Sequence, residues 1–368
     1  MQRVITERGG AARIRALTGS MGMHRPLLVC SRRVAAELAW PGAAVFSGFE
    51  PNPQWEDCLR AASAFRAGGC DGLAAMGGGS CMDTAKAVKA ILMADSPEDA
   101  LRSRLTAEAG PPLLCAPTTA GTGSESTPFA VVYTGLNKVS VAHEALLPDT
   151  VLLDSEMLRS LPGLHRKSCA LDAFCQGVES FWAGCATGES RAHAKAAFTG
   201  VLRHLPAYLA GDADAAEQML IAACESGQAI AVTRTTAAHA MSYRITKRLG
   251  CPHGQACALT LPGLWERLNG ETACRETMTA LAEALGVSPE DAPRLARGLL
   301  WAMNLPTPWN PGEDALNELT DSVNAQRLNN HPMKLSREDI LAVYRESLTP
   351  PDPAEKAACA ALWEARHG

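Results

Sequence analysis

The 368-residue sequence lacks the features that mark membrane, secreted or nucleic-acid-binding proteins. No apolar run approaches the roughly 18 residues that are needed to span a bilayer. The first ten residues, MQRVITERGG, lack the apolar core of a signal peptide, so we expect a cytoplasmic protein. The formal net charge of -5 provides no basic field that would attract nucleic acid. We therefore expect neither a membrane nor a nucleic acid among the partners.

Pairs of cysteines with CxxC spacing are also lacking, although cysteine itself is frequent. The thirteen cysteines are an odd number, and most stand singly in apolar or helical surroundings, as Cys115, Cys175 and Cys257 do. This pattern does not resemble a disulfide framework. Small buried thiols in a reducing compartment explain it better, and we assign no catalytic role to any cysteine.

What remains is ordinary globular composition, 47% hydrophobic and 20% charged, without repeats or low-complexity tracts. Up to residue 161, apolar runs that predict strands, such as 26–31 and 43–46, alternate with helical patterns such as 54–67. From Pro162 onward the patterns are alanine-rich and helical. We therefore predict an α/β domain with a parallel sheet over residues 1–161 and a helical domain over residues 162–368.

Two loops in the first half carry the composition of a cofactor site. Residues 73–89, LAAMGGGSCMDTAKAVK, predict a buried strand, a tight loop and a helix that Ser80 could cap. Glycines let backbone N–H groups approach an anion, and the start of a helix favours a bound pyrophosphate. The spacing is neither GxGxxG nor that of a P-loop. Residues 115–125, CAPTTAGTGSE, again follow apolar residues and could wrap a cofactor.

Together GGGSCMDTAK and PTTAGTGSE resemble the iron-containing (group III) alcohol dehydrogenase family, whose usual forms are GGGSxxDxAK and PTTxGTGSE. Further similarity at residues 147–162, 170–181 and 239–262 extends the resemblance over most of residues 40–265. The resemblance implies a Rossmann-like α/β dinucleotide-binding domain at residues 1–161 and an all-α metal- and substrate-binding domain at residues 162–368. This is the fold that the family shares with dehydroquinate synthase-like lyases. It also implies an NAD(P)-dependent oxidoreductase that acts on CH–OH groups, and we expect a homodimer.

The resemblance implies NAD or NADP as the hydride carrier, with its pyrophosphate at the glycine loop. After the first strand, many relatives place an aspartate, whereas this chain has Ser31, Arg32 and Arg33. An arginine there could bind a 2′-phosphate, so we predict a preference for NADP, although two such arginines are also ordinary solvated residues. The other cofactor-binding residues implied are Gly77, Gly78, Gly79, Ser80, Asp83, Thr118, Thr119, Thr122, Ser124 and Lys138.

A metal site is implied by four positions in the second half. Asp172 and Gln176 are four residues apart on one helical face, His239 lies in a second helical stretch, and His253 lies in the turn CPHG. In the resembling family, these positions bind Fe²⁺ or Zn²⁺ through one aspartate and three histidines. Gln176 replaces a histidine, and because an amide oxygen is a weaker ligand, metal affinity should fall. Asp172, His239 and His253 still form a facial set.

In the implied mechanism, the metal polarises the substrate oxygen while hydride passes between nicotinamide and carbon. We assign catalytic roles to His253 and Tyr243. Tyr243 stands four residues after His239, where relatives often carry a histidine of a proton relay. It could donate a proton, or it could simply pack the helix.

The substrate is indicated by FEPNP at 49–53, AAHAMSY at 237–243 and RLNNHP at 327–332. These strings resemble the branch that reduces phosphonoacetaldehyde in phosphonate biosynthesis. That branch also resembles natural-product dehydrogenases that oxidise the C-terminal threonine of ribosomal peptides. Both substrates carry an anionic group, which Arg234 and Arg327 could bind together. Alternatively, Arg234 forms a surface ion pair on its helix and Arg327 anchors a loop. A lyase and a metal-poor binding protein are the remaining alternatives.

Overall fold

A six-stranded parallel sheet organises the first half of the chain in the computed structural model, which describes residues 2–40, 42–107, 109–135 and 137–366. The strand order is β1-β8-β5-β4-β2-β3, and β6 and β7 form a separate antiparallel pair. The strands described are β1 (Arg3–Thr6), β2 (Pro26–Cys30), β3 (Ala44–Phe46), β4 (Gly72–Gly77), β5 (Leu113–Pro117), β6 (Phe129–Thr134), β7 (Asn137–Ala142) and β8 (Thr150–Leu153).

Five helices connect these strands and cover both faces of the sheet. Leu27 of β2 belongs to one buried cluster and Leu28 to another, because successive side chains of a strand point to opposite faces. A strand that is buried on both faces consists almost entirely of apolar residues, and such apolar runs in the sequence predicted these strands. The helices are α1 (Gly10–Ser20), α2 (Arg32–Leu38), α3 (Trp55–Ala67), α4 (Gly79–Met93) and α5 (Pro97–Leu101).

The second half is helical in the described residues. Its helices are α6 (Gly163–Trp182), α7 (Gly188–Leu209), α8 (Ala213–Thr233), α9 (Ala237–Leu249), α10 (His253–Gly270), α11 (Arg275–Leu285), α12 (Asp291–Ala302), α13 (Glu313–Asp321), α14 (Ala325–Leu328), α15 (Arg337–Ser347) and α16 (Pro353–Glu364). The predicted fold class, a parallel-sheet half followed by an all-α half, is confirmed. None of the described helices is both long and apolar enough to cross a membrane.

The chain divides into two compact units: Met1–Leu161 with Asp212–Gly227, and Pro162–Gly211 with Gln228–Gly368. The first part of α8, which we assigned to the helical domain, groups with the sheet unit. A Cβ atom on Gly227 would lie 2.2 Å from the carbonyl oxygen of Gly123, so this helix approaches a loop of that unit very closely. The functions that we assign to the two halves remain predictions.

Two strands were not anticipated from the sequence. β1 lies at the edge of the sheet and pairs in parallel with β8, although its residues are mostly exposed and do not form an apolar run. β7, which pairs with β6, carries Lys138 opposite Tyr133. Both strands are exposed or only partly buried along most of their length, so their apolar patterns are weak.

All thirteen cysteines are free thiols, and ten of them are buried. Cys257 on α10 is fully buried. This distribution fits the expectation of small thiols that pack the interior.

Candidate active site

The glycine loop joins β4 to the N-terminus of α4. Gly78 is the N-cap residue, and within the described part of the chain no side chain caps this helix. Ser80 does not cap the helix as we expected, because its Oγ accepts a hydrogen bond from the backbone N–H of Asn52 at 3.0 Å. An α-helix that starts without a side-chain cap presents its first N–H groups to an anion. The site therefore fits a pyrophosphate.

The second loop packs directly on the first. A Cβ atom on Gly78 would lie 3.2 Å from the Thr119 side chain, and one on Gly79 would lie 3.1 Å from that of Thr122. A Cβ atom on Gly77 would lie 2.5 Å from Cys81 Cβ, so this position has no room for a side chain. The structure thus brings together the glycines and threonines that the sequence assigned to the cofactor.

A buried lysine that the sequence analysis missed holds the second loop in place. Lys86 of α4 is fully buried, and its Nζ donates hydrogen bonds to Ser124, to Thr127 Oγ1 at 2.8 Å and to the carbonyl oxygen of Phe129 at 3.0 Å. The Ser124 hydroxyl also donates to Asp83 at 2.8 Å. A lysine on the apolar face of α4 was the available signal, since lysine is almost never buried without partners.

The pKa of the Asp83 carboxyl is raised by burial, which outweighs the opposing effects of Lys86, Ser124 and Lys138. This places Lys138 of β7 close to the second loop. Thr118 is anchored through its backbone N–H, which donates to the carbonyl oxygen of Gly77 at 2.9 Å.

The arginines that follow β2 lie at the carboxyl ends of the strands, as the glycine loop after β4 does. Cys30 at the end of β2 pairs with Met76 near the end of the parallel strand β4. Ser31 is the N-cap residue of α2 and accepts a hydrogen bond from the Val34 N–H at 3.3 Å. Arg33 forms an exposed ion pair with Glu37 at 2.9 Å, one turn along the same helix. Arg32 precedes it at the start of α2.

Three of the predicted metal ligands converge in the helical unit. His239 Nε2 lies 3.2 Å from Asp172 Oδ1, and His253 Nε2 lies 3.8 Å from the same oxygen. The side chains of Asp172 and His239 are buried, whereas that of His253 is 39% exposed and accessible to a small molecule. The three come from α6, α9 and α10.

The position of His253 corrects our expectation of a turn, because His253 is the first residue of α10, after Pro252 as N-cap. A Cβ atom on Gly254 would lie 1.9 Å from the carbonyl oxygen of Ser168 in α6. Only glycine permits so close an approach of the two backbones. Gly254 therefore allows His253 to reach Asp172.

A cysteine completes the cluster. The candidate ligand atoms of Asp172, His239, His253 and Cys257 all lie within 4.8 Å of one another. Cys257 Sγ lies 4.0 Å from His253 Nε2, one turn along α10. Burial favours the neutral thiol, but the neighbouring His239 and His253 outweigh it and lower the pKa of Cys257 to about 7. The four-residue spacing from His253 was the signal that we overlooked.

Glu179 of α6 was also missed, and it fixes the orientation of His239. One carboxylate oxygen accepts hydrogen bonds from the Thr236 N–H at 3.1 Å, the Thr236 hydroxyl at 2.6 Å and the Ala238 N–H at 2.8 Å. The other oxygen contacts His239 Nδ1. With its proton on Nδ1, His239 directs the lone pair of Nε2 toward Asp172, as metal-bound histidines do. The signal was the seven-residue spacing from Asp172, two turns along one face.

The residues present fit a divalent metal. One carboxylate, two imidazoles and a thiolate are donors that Zn²⁺ and other first-row metals accept. Burial opposes ionisation of Glu179, but His239 and Thr236 outweigh it and lower the pKa of that carboxyl, so a charged acceptor supports His239. Gln176 is buried one turn after Asp172, and its role as a ligand remains a prediction.

The proposed substrate residues form a stack beside His253. The Tyr243 ring is parallel to the His253 ring, with centroids 5.9 Å apart and an interplanar angle of 8°. The guanidinium of Arg327 lies 5.4 Å from the centroid of the Tyr243 ring. Partial desolvation and the charge of nearby Arg327 lower the pKa of Arg234. The structure thus brings both predicted arginines, Tyr243 and His253 into one neighbourhood.

These features fit a dinucleotide-dependent oxidoreductase whose helical unit could hold a metal ion. The sequence profile described as "Iron-containing alcohol dehydrogenase" matches residues 1–155. The profile described as "Fe-containing alcohol dehydrogenase family, C-terminal" matches residues 168–348. The chain belongs to the iron-containing alcohol dehydrogenase family, as the resemblance predicted.

Individual relatives agree with this assignment. The chain is 35% identical to a phosphonoacetaldehyde reductase of Streptomyces viridochromogenes, over 76% of each protein. It is 33% identical to the probable alcohol dehydrogenase EutG of Escherichia coli, over 66% of this chain and 63% of that protein. A crystal structure of sulfoacetaldehyde reductase from Bifidobacterium kashiwanohense in complex with NAD⁺ covers 95% of this chain and 98% of its own, with a TM-score of 0.84 and 27% identity. The protein is an NAD(P)-dependent alcohol or aldehyde oxidoreductase.

We predict that Glu179→Gln weakens metal binding. The amide can offer its oxygen to Thr236 and Ala238 only by turning its NH₂ group toward His239 Nδ1, which moves the imidazole proton to Nε2. We expect the dissociation constant for Zn²⁺ to rise about 10- to 100-fold, the usual effect of losing such a supporting group. Competition with a chromophoric chelator measures it. Glu189→Gln, an exposed change on α7, is the control, and equal affinity of Glu179→Gln and wild type would contradict the prediction.

Proposed function

We propose that the protein reduces a small anionic aldehyde, such as phosphonoacetaldehyde, with NAD(P)H and with a divalent metal held by Asp172, His239 and His253. The observation that carries this proposal is the stack of Arg327, Tyr243 and His253, with Arg234 beside it. We also propose that the protein acts in the cytoplasm as a homodimer.

The arginines support an anionic substrate. The charge of Arg327 contributes to lowering the pKa of Arg234, so the two guanidinium groups repel one another, and a bound phosphonate or carboxylate relieves this repulsion through bidentate hydrogen bonds. Arg234 also has a positive φ of 60°, an unfavourable conformation for a residue other than glycine, immediately after α8 ends. Such outliers concentrate at functional sites, which motivates the hypothesis that this backbone geometry serves substrate binding.

The names of two relatives point to the same chemistry. Phosphonoacetaldehyde and sulfoacetaldehyde each carry an oxyanion group one carbon away from the aldehyde. The anion clamp and the reactive carbonyl would then have to be close neighbours. Arg327 and His253 both contact the ring of Tyr243, so a guanidinium group and a proposed metal ligand lie beside the same side chain.

The mechanism assigns each residue a separate task. The glycine loop and the start of α4 hold the pyrophosphate of the cofactor. When bound, the metal acts as a Lewis acid that stabilises negative charge on the carbonyl oxygen as hydride reaches the carbon. Glu179 keeps His239 in the tautomer that the metal requires. Tyr243, stacked on His253, is placed to donate the proton that completes the alcohol.

We predict that Arg234→Ala and Arg327→Ala each lower kcat/KM for phosphonoacetaldehyde about 10- to 100-fold, mainly through KM. The basis is the roughly 1.5–3 kcal/mol that a hydrogen bond to a charged group contributes. For an uncharged aldehyde of similar size, both substitutions should leave kcat/KM unchanged. Arg248→Ala, which removes only an exposed partner of Glu318, is the matched control.

The same assay separates the competing substrates. A peptide that ends in threonine should be oxidised by the wild-type enzyme if the natural substrate is a peptide terminus. If an uncharged aldehyde is the best substrate, and Arg234→Ala leaves every KM unchanged, the anion clamp is wrong. Absence of turnover with all substrates would favour the non-catalytic binding protein.

We further propose that NADPH is the preferred cofactor and that Arg32 binds its 2′-phosphate, since Arg33 already pairs with Glu37. Arg32→Ala should lower kcat/KM for NADPH about tenfold, the loss of roughly one charge-assisted hydrogen bond, and should leave that for NADH unchanged. Arg33→Ala should have the smaller effect. Steady-state kinetics with both cofactors test this, and a clear preference of the wild type for NADH would refute it.

A further inference from the structure

We propose that Cys257 is the fourth protein ligand of the metal, bound as a thiolate, and that it replaces the histidine whose position Gln176 occupies. The centre would then contain one carboxylate, two imidazoles and one thiolate. This inference rests on the proposed metal-dependent function and specifies the ligand set of the site. It assigns a ligand role to a residue that the sequence analysis left among the packing thiols.

Three of the separations between the four donor atoms are close to those of a tetrahedral centre, to which the substrate oxygen would add as a fifth ligand. A tetrahedral zinc ion with Zn–N near 2.0–2.1 Å and Zn–S near 2.3 Å keeps its ligand atoms about 3.3–3.6 Å apart. The distances from Asp172 Oδ1 to His239 Nε2 and to His253 Nε2 are 3.2 Å and 3.8 Å. Cys257 Sγ lies 4.0 Å from His253 Nε2. All the separations lie within 4.8 Å, so the four side chains would complete the geometry by moving inward around the ion.

The backbone holds Cys257 in this position. His253 and Cys257 are four residues apart on α10, so both project toward the same side of the helix. The close approach of Gly254 to Ser168 fixes the start of α10 against α6, which carries Asp172. Asp172 is therefore presented beside His253 and Cys257 by two helices that pack closely together.

Charge balance favours a thiolate over an amide. Asp172 is 4% exposed and Cys257 is fully buried, so a metal ion here is largely shielded from water. A buried charge is costly unless opposite charges compensate it. Among the groups bound directly to a divalent ion, one carboxylate leaves a net positive charge, whereas a carboxylate and a thiolate neutralise it. The charge of Glu179 is separated from the ion by the His239 ring. Gln176 would supply only a neutral oxygen, and a thiolate also directs the choice of metal toward Zn²⁺.

Ordinary packing does not account equally well for Cys257. A buried cysteine usually serves as a small apolar side chain, and most of the thirteen are buried. Among the cysteines in the part of the chain that the structure describes, only Cys257 belongs to a cluster of three or more candidate metal ligands. Its sulfur faces imidazole nitrogen rather than apolar side chains alone.

X-ray absorption at the zinc edge of the wild-type, zinc-loaded protein tests the proposal without any mutation. We expect one sulfur neighbour at about 2.3 Å, together with nitrogen and oxygen neighbours near 2.0–2.2 Å. A shell that contains only nitrogen and oxygen would overturn the proposal.

Substitution with Co²⁺ then identifies the sulfur. The wild-type protein should show a sulfur-to-cobalt charge-transfer band in the near ultraviolet, which Gln176→Ala and the buried control Cys274→Ser should retain. Cys257→Ser should lose the band while keeping visible cobalt absorption, and its metal affinity should fall at least about tenfold, the lower bound for losing even a supporting group. Persistence of the band in Cys257→Ser would contradict the assignment.

The two proposals fail in different ways. If the wild-type protein binds metal and reduces its substrate but the centre contains no sulfur, the thiolate ligand is wrong and the proposed function stands. If the wild-type protein binds no metal, the metal-dependent function itself is wrong. Circular dichroism verifies that each variant is folded. If Cys257→Ser does not fold, the X-ray absorption spectrum of the wild-type protein still shows whether sulfur binds the metal.

Discussion

The hydrogen bonds that Glu179 accepts are the constraint on which the proposed active site depends. This fully buried carboxylate binds the N–H groups of Thr236 and Ala238 at the start of α9 and also contacts His239 Nδ1. It therefore caps a helix from outside, because α9 has no side-chain cap of its own among the described residues. It also interacts favourably with the positive end of the helix dipole. The beginning of α9 and the tautomer of His239 are fixed by the same group.

Several other features follow from this arrangement. Arg234 lies two residues before Thr236, in the short connection between α8 and α9, so its left-handed backbone is held between two anchored helices. Tyr243 lies one turn after His239 and stacks on His253. The geometry of the proposed anion clamp therefore depends on the carboxylate of Glu179, which anchors the start of α9.

The sheet unit uses a related device. Lys86 is a buried cation that gathers the carbonyl and hydroxyl oxygens of Ser124, Thr127 and Phe129, just as Glu179 gathers N–H groups. A buried charge is tolerated only when hydrogen bonds surround it, and it then restricts its partners to one arrangement. In both units a single buried ionic side chain holds the segment that we assign to binding.

The sequence predicted most of the features that depend only on the pattern of neighbouring residues. The strands around the glycine loop, the loop itself and the helical positions of Asp172 and His239 follow from apolar runs and residue spacing. Its failures concern contacts between distant segments. Ser80 was expected to cap its own helix, but it binds the N–H of Asn52, and His253 was assigned to a turn because Pro252 and Gly254 flank it.

Cys257 and Glu179 were overlooked for the same physical reason. Each stands in an apolar helical stretch where the bland interpretation, a packed interior residue, is statistically the better one. Their proximity to His239 appears only when α6, α9 and α10 pack, and that packing relies on the absence of a side chain at Gly254. Spacing of four and seven residues from recognised ligands would have identified both as candidates.

The account's central claim is that Asp172, His239 and His253 hold a metal that is needed for turnover. The most direct test is to measure metal content and phosphonoacetaldehyde reduction together, in the wild-type protein before and after chelation and in His253→Ala. The account predicts that chelated wild type and folded His253→Ala lose both metal and activity, and that added metal restores only the wild type. Equal rates of the metal-free and metal-loaded wild-type protein would contradict it.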